Sequence, residues 1–121
     1  MRGSVTDIYQ CHCSVCRSAF GASGASVSLC SGADFAWVTG EDLIRLFVTP
    51  SGYRSVFCQR CGSHLPDPNP DKSTYWIPAG LLPGDAGIKV GAHVYTDSKA
   101  HWDVIGDDGV QYSEGFPIED A

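Results

Sequence analysis

The chain has few positively charged residues and no long apolar run. Eight of its 121 residues are Lys or Arg and fourteen are Asp or Glu, so the formal net charge is -6, and the basic residues do not cluster. Binding to a phosphate backbone depends on cations that displace its counterions, so we expect no nucleic-acid partner. No run of about eighteen apolar residues is present, so we expect no membrane span.

The N-terminal sequence MRGSVTDIYQ lacks the apolar segment of a secretory signal, and we therefore expect a cytoplasmic protein. This expectation bears on the six cysteines. A reducing compartment disfavours structural disulfides and makes clustered cysteines typical of metal-binding or catalytic sites. Cys11 and Cys13 are also too close in sequence for an unstrained disulfide.

Sustained helical periodicity is missing as well. Fourteen glycines and seven prolines are spread along the chain and divide it into short segments. Short runs rich in β-branched and aromatic residues predict strands at 34–39, 43–49, 53–58, 74–79 and 92–96. We therefore predict a mainly β fold, formed by a single domain over residues 1–121.

Two segments carry turn signals of different kinds. The sequence TPSG at 49–52 separates two strand-like runs, which predicts a β-hairpin over 43–58 that presents Cys58 at its end. The sequence HLPDPNPDKS at 64–73 has three prolines at alternating positions. Proline cannot donate a hydrogen bond within a sheet, so this segment cannot be a central strand and is predicted to be a surface loop.

The cysteines form two C-x2-C pairs, Cys13 with Cys16 and Cys58 with Cys61. At this spacing a tight turn directs two sulfurs to one zinc ion. Gly62, directly after the second pair, suits the positive φ that such a turn often needs. On spacing alone, the four cysteines could close around one structural zinc.

Cys11 opens an alternative. With Cys13 and Cys16 it forms C-x-C-x2-C, which can fill three positions of a tetrahedron and leave the fourth to water or substrate, as in a catalytic zinc site. Three thiolates make zinc a poor Lewis acid for activating water. Such a centre suits an incoming thiol, which coordination deprotonates. The number of protein sulfurs on the metal separates the two hypotheses.

The segments CHCSVCRSAFGA, ADFAWVTGEDLIRLF, FCQRCGSHLP, IPAGLL and GAHVYTDSKAHW, in this order, resemble the glutathione-dependent formaldehyde-activating enzyme family, also called the centromere-protein-V domain family. The resemblance implies an all-β fold of the β-tent type. It also implies a carbon-sulfur lyase activity, with glutathione and formaldehyde as the founding substrates. Cys11, Cys13 and Cys16 would hold the catalytic zinc.

The resemblance further implies that Cys58 and Cys61 share a structural zinc with an earlier C-x-C-G motif. That motif is missing here, where Val5, Thr6 and Asp7 run almost directly into CHC. Three explanations follow. The second site is absent, or it shares ligands with the first cluster, or the sequence lacks a first strand.

Five further residues have predicted roles. Neighbours within a C-x-C segment face away from the metal, so we expect His12 to make hydrogen bonds rather than to coordinate. His64 is an alternative ligand beside the second pair, and Cys30 is expected to be a small buried apolar residue on a strand. Arg17 and Lys99 are candidates for binding the carboxylates of glutathione, with solvated surface charge as the alternative.

The sequence thus predicts a zinc-dependent carbon-sulfur lyase that acts on a small thiol adduct, the founding case being formation of S-hydroxymethylglutathione. The alternative is a non-catalytic, zinc-ribbon-like structural or partner-binding module with a closed four-cysteine site. For partners we expect a small thiol such as glutathione, no nucleic acid and no membrane. A homodimer is compatible with the sequence.

Overall fold

The computed structural model describes residues 5–83 and 87–115. In these residues the fold is mainly β, which confirms the predicted class. The single α-helix of the described part is α1 (Ser14–Phe20). The strands are β1 (Ile8–Cys11), β2 (Ala25–Ser31), β3 (Ile44–Val48), β4 (Arg54–Cys58), β5 (Asp67–Pro68), β6 (Thr74–Pro78), β7 (Val90–Val94) and β8 (Val110–Gln111).

The chain divides into two compact units. One contains residues 28–82 together with Val5 and Thr6, and the other contains residues 7–27 and the described residues from Pro83 onward. The prediction of one domain over the whole chain stays a prediction. No helix in the described part has the length and hydrophobicity needed to cross a bilayer.

In the unit that begins at Asp7, β1 has a neighbour on each side. It pairs antiparallel with the first residues of β2, where Cys11 lies opposite Ala25, and parallel with β7, where Cys11 lies opposite Val94. Strand β8 then pairs parallel with β7. A strand hydrogen-bonded on both edges is well fixed, so β1 holds Cys11 at the start of the first cysteine cluster.

Helix α1 begins after a connection of two residues from this strand. Its N-cap is Cys13, which has extended backbone angles and whose sulfur accepts a hydrogen bond from the Cys16 N–H at 3.3 Å. The helix ends at Gly21, whose φ of 60° is left-handed and whose N–H bonds to the Arg17 carbonyl. The sequence did not predict this helix, because two turns are too short to show a periodic pattern.

The other unit contains the predicted hairpin, which is confirmed. Strands β3 and β4 pair antiparallel with Ile44 opposite Cys58 and Val48 opposite Arg54. The turn between them is closed by a hydrogen bond from Thr49 N to Tyr53 O at 2.9 Å, and Gly52 supplies the positive φ of 92°. The hairpin therefore carries Cys58 at its end, as predicted.

The proline-rich segment is not wholly a loop. It contains β5, a two-residue strand that pairs with β6, which itself lies between β5 and β2. Proline is tolerated at such an edge because one side of the strand needs no donor. The prediction that the segment is not a central strand is confirmed, and the prediction of a loop throughout is wrong.

The strand predicted at 34–39 is also wrong. A 3₁₀ turn over Gly32–Asp34 is followed by irregular chain. The aromatic residues that suggested a strand pack through their rings instead. Phe35 stacks on Tyr75 of β6 with ring centroids 4.0 Å apart, and Trp37 meets Phe35 edge to face at 5.0 Å. Burial of ring surface, rather than backbone pairing, explains the composition here.

Candidate metal centre

Three sulfurs converge where β1 passes into α1. The Sγ atoms of Cys11, Cys13 and Cys16 all lie within 4.8 Å of one another. Zinc bound tetrahedrally to thiolates, with Zn–S bonds of about 2.3 Å, sets its sulfurs about 3.8 Å apart. Small side-chain adjustments would thus bring all three sulfurs to bonding distance, and the donor set fits zinc. Among the described residues this is the one group of three or more His, Cys, Asp or Glu donors so arranged.

The sulfurs share protons unequally. A hydrogen bond from the Cys16 thiol, helped by Cys13, lowers the pKa of Cys11 to about 6 despite its partial burial. The same bond and the burial of Cys16 raise the pKa of that thiol. In the cluster without metal, Cys11 is therefore mainly a thiolate at neutral pH, stabilised by its neighbours.

His12, between two of these cysteines, is 2% exposed, lies outside the sulfur group and takes part in a hydrogen-bonded chain. Its Nε2 lies 2.8 Å from Nδ1 of His93, whose Nε2 lies 2.8 Å from Oδ1 of Asp107. Burial and the neighbouring His93 ring lower the pKa of His12. The predicted hydrogen-bonding role of His12 is confirmed. His93 and Asp107 could not be identified from the sequence, since they are far from the cysteines along the chain.

The two candidate anion-binding residues lie in the same unit as the cluster. Arg17 belongs to α1, and its Nε is buried with no hydrogen-bond partner in the described residues. The Lys99 ammonium donates to the backbone carbonyl of Asp103 at 3.0 Å, which leaves it further donors. Binding of a glutathione carboxylate by either residue stays a prediction, and Arg17 has the clearer unmet donor.

Cys58 and Cys61 lie in the other unit, at the end of the hairpin. Gly62 has the predicted positive φ, 77°, and its N–H bonds to the Cys58 carbonyl at 2.7 Å. The Ser63 hydroxyl, 3.2 Å from the Cys61 sulfur, lowers the pKa of that thiol. The knuckle is therefore formed. Within the described residues neither cysteine belongs to a group of three candidate ligands, so binding of zinc by this pair stays a prediction.

Cys30 lies in β2 and is 3% exposed, which confirms its predicted burial on a strand. It does not belong to the metal-ligand group found in the described residues.

The family model described as glutathione-dependent formaldehyde-activating enzyme matches residues 1–98. The matched segment includes the three-cysteine cluster, the Cys58–Cys61 pair and His93, and it ends before Asp103 and Asp107. A search of curated proteins gave no match.

Proposed function

Because the chain belongs to the glutathione-dependent formaldehyde-activating enzyme family, we propose that it is a zinc-dependent carbon-sulfur lyase whose metal is held by Cys11, Cys13 and Cys16. The observation that carries the proposal is the convergence of these three sulfurs within 4.8 Å, inside the matched segment. The substrate is the adduct of a small thiol with an aldehyde, and glutathione with formaldehyde is the founding case.

Three protein sulfurs leave one tetrahedral position for a ligand from solution. Zinc, when bound, supplies a centre that lowers the pKa of an incoming thiol while its three thiolates keep it weak toward water. In the direction of adduct formation, the thiol sulfur bonds to the carbonyl carbon and the thiol proton ends on the carbonyl oxygen. The lyase direction reverses both changes.

The protein's own residues contribute binding and orientation. Arg17 directly follows Cys16, and its buried Nε lacks a partner in the described residues. A guanidinium pairs well with a carboxylate, so Arg17 is suited to hold one end of an anionic thiol beside the metal. Lys99 is the second candidate, with its ammonium already fixed by one bond to the Asp103 carbonyl.

The alternative function is a non-catalytic module in which four protein sulfurs close around one zinc. The observation that favours it is the formed knuckle at Cys58 and Cys61, with Gly62 at a φ of 77°. A closed site of four protein sulfurs has no position for a substrate thiol.

Cobalt replacement tests the proposal, because Co²⁺ bound to thiolates has visible charge-transfer bands that grow when another sulfur joins. We expect glutathione to change the spectrum saturably, Cys13→Ser to abolish the response, and Cys58→Ser to preserve it. Four protein sulfurs on the metal, no response to glutathione and loss of the spectrum in Cys58→Ser would instead establish the closed module.

A further inference from the structure

Two buried histidines lie in the same unit as the three-cysteine cluster, and one of them, His12, stands between Cys11 and Cys13 in the chain. His12 is 2% exposed and His93 is 1% exposed, and they are among the largest fully buried side chains of the described residues. Burial of an imidazole is costly unless its nitrogens are hydrogen-bonded. Here the pair is bonded through His12 Nε2 and His93 Nδ1, and the chain continues from His93 Nε2 to the carboxylate of Asp107.

The Asp107 carboxylate determines which partner donates in its hydrogen bond with His93. An ionised carboxylate only accepts hydrogen bonds. The Nε2–H group of His93 is therefore the donor of the hydrogen bond to Asp107 Oδ1. The other nitrogen of His93, Nδ1, lies 2.8 Å from His12 Nε2, and one of these two nitrogens donates to the other. The remaining nitrogen of His12, Nδ1, makes no hydrogen bond to the described residues, and Asp103 Oδ2 lies 3.4 Å from it.

His12 is also fixed through its backbone. Its N–H donates to the Val94 carbonyl at 3.0 Å, next to the β1–β7 pairing of Cys11 with Val94. In extended chain, side chains two residues apart point to the same side and the one between them points to the other. A His12 ring held on one side therefore directs the Cys11 and Cys13 sulfurs together on the opposite side.

We propose that His93 and Asp107 are positioning residues of the metal centre, which anchor His12 and thereby hold Cys11 and Cys13 in the arrangement that receives the metal. The inference rests on the proposed function in one respect, that the metal occupies the three cysteines. It extends the centre to a carboxylate beyond the segment matched by the family model.

Asp107 is well placed for this role. It is partly exposed, and its Oδ1 also accepts the Gly109 N–H at 2.9 Å, which closes a turn just before β8. Strand β8 then pairs with β7 at His93 and Gln111, and Tyr112 N donates to the His93 carbonyl at 2.8 Å. The segment that carries Asp107 is thus fixed against the strand that carries His93.

Cobalt binding to the full chain tests the proposal. Asp107→Ala removes the acceptor, and Asp107→Asn keeps an acceptor oxygen for Gly109 but removes the charge that makes His93 Nε2 the donor. Asp108→Ala is the matched control, since Asp108 is a neighbouring exposed acid. For each variant, the cobalt affinity is measured by competition with a chelator, together with the cobalt absorption spectrum and the melting temperature.

We expect Asp107→Ala to weaken cobalt binding about tenfold, at the low end of the range for partners of metal ligands because it acts through two intermediate side chains. Its spectrum should also shift. Asp107→Asn should lose less affinity, and Asp108→Ala should match the wild type. If Asp107→Ala does not fold, the test is made with Asp107→Asn alone. A cobalt affinity and spectrum of that variant equal to those of Asp108→Ala would overturn the inference.

Two other results are equally decisive. A lower melting temperature in Asp107→Ala with unchanged cobalt affinity and spectrum would show that Asp107 closes its own turn and nothing more. A wild-type protein that takes up no cobalt at the three cysteines would overturn the proposed function and this inference together. Normal uptake by the wild type, with the same cobalt affinity and spectrum in the Asp107 variants, would overturn the inference alone.

Discussion

The lowered pKa of Cys11 predicts that native Cys11 is alkylated faster than the unfolded chain at low pH and more slowly at high pH. In the metal-free protein the neighbouring thiols lower this pKa from 9.0 to about 6. At pH 6 about half of the Cys11 population is thiolate, against about one in a thousand for a thiol of ordinary pKa, which is a gain of about 500-fold. A less basic thiolate is also a weaker nucleophile. With a Brønsted coefficient of about 0.4–0.5, a pKa difference of three lowers its reactivity about 16- to 30-fold.

The two effects give a net acceleration of about 15- to 30-fold for alkylation of native Cys11 at pH 6, relative to the unfolded chain. At pH 9 the thiolate gain is about twofold, so the weaker nucleophilicity dominates and native Cys11 should react about tenfold more slowly than the unfolded chain. Partial burial lowers the native rate at every pH. The test is therefore the pH at which the alkylation rate of native Cys11 reaches half of its maximum, which we expect near pH 6.

The assay is alkylation of chelator-treated protein by iodoacetamide across this pH range, with the same chain in urea as the reference. Mass spectrometry of the tryptic peptide 3–17, fragmented to separate its cysteines, assigns each label. Cys16→Ala is the control, because it removes the thiol that contributes most to lowering the Cys11 pKa and should raise the pH of half-maximal alkylation. Parallel native and unfolded profiles, or labelling of Cys16 before Cys11, would refute the reasoning.

Two stability predictions accompany it. A Cβ at Gly24 would lie 2.4 Å from the Cys11 carbonyl oxygen, so Gly24→Ala should cost about 1–3 kcal/mol in urea unfolding, while Gly106→Ala, with open space around it, should cost much less. Equal losses in both would show that the sheet shifts freely at Cys11. Cys30→Ser should destabilise more than Cys30→Ala, because it buries a hydroxyl, and should leave the metal content unchanged. A loss of metal in Cys30→Ser would make Cys30 a ligand.

The features that could be predicted from the sequence are those set by neighbouring residues. The turn formers at 49–52 specify the hairpin locally, and the spacing of Cys11, Cys13 and Cys16 nearly determines that their sulfurs meet. Gly62 likewise takes the conformation that its turn requires.

The features that could not be predicted depend on distant partners. The segment 34–39 has the composition of a strand, and the stacking of Phe35 on Tyr75 accounts for that composition instead. His12 and His93 are 81 residues apart, and Asp107 is a further fourteen along the chain. No local pattern reports such contacts, because the pairing of β1 with β7 brings them together.

The shared proton between Cys11 and Cys16 has a consequence for handling the protein. A thiolate with a pKa of about 6 is the form that attacks an oxygen of hydrogen peroxide, which yields a sulfenic acid and releases hydroxide. The Cys16 sulfur lies within 4.8 Å, so that acid can condense with the Cys16 thiol to a disulfide and water. A bound metal would coordinate the sulfur lone pairs that otherwise react with peroxide. Loss of the metal therefore exposes the cluster to oxidation, and the metal content of a preparation should be measured before storage in air.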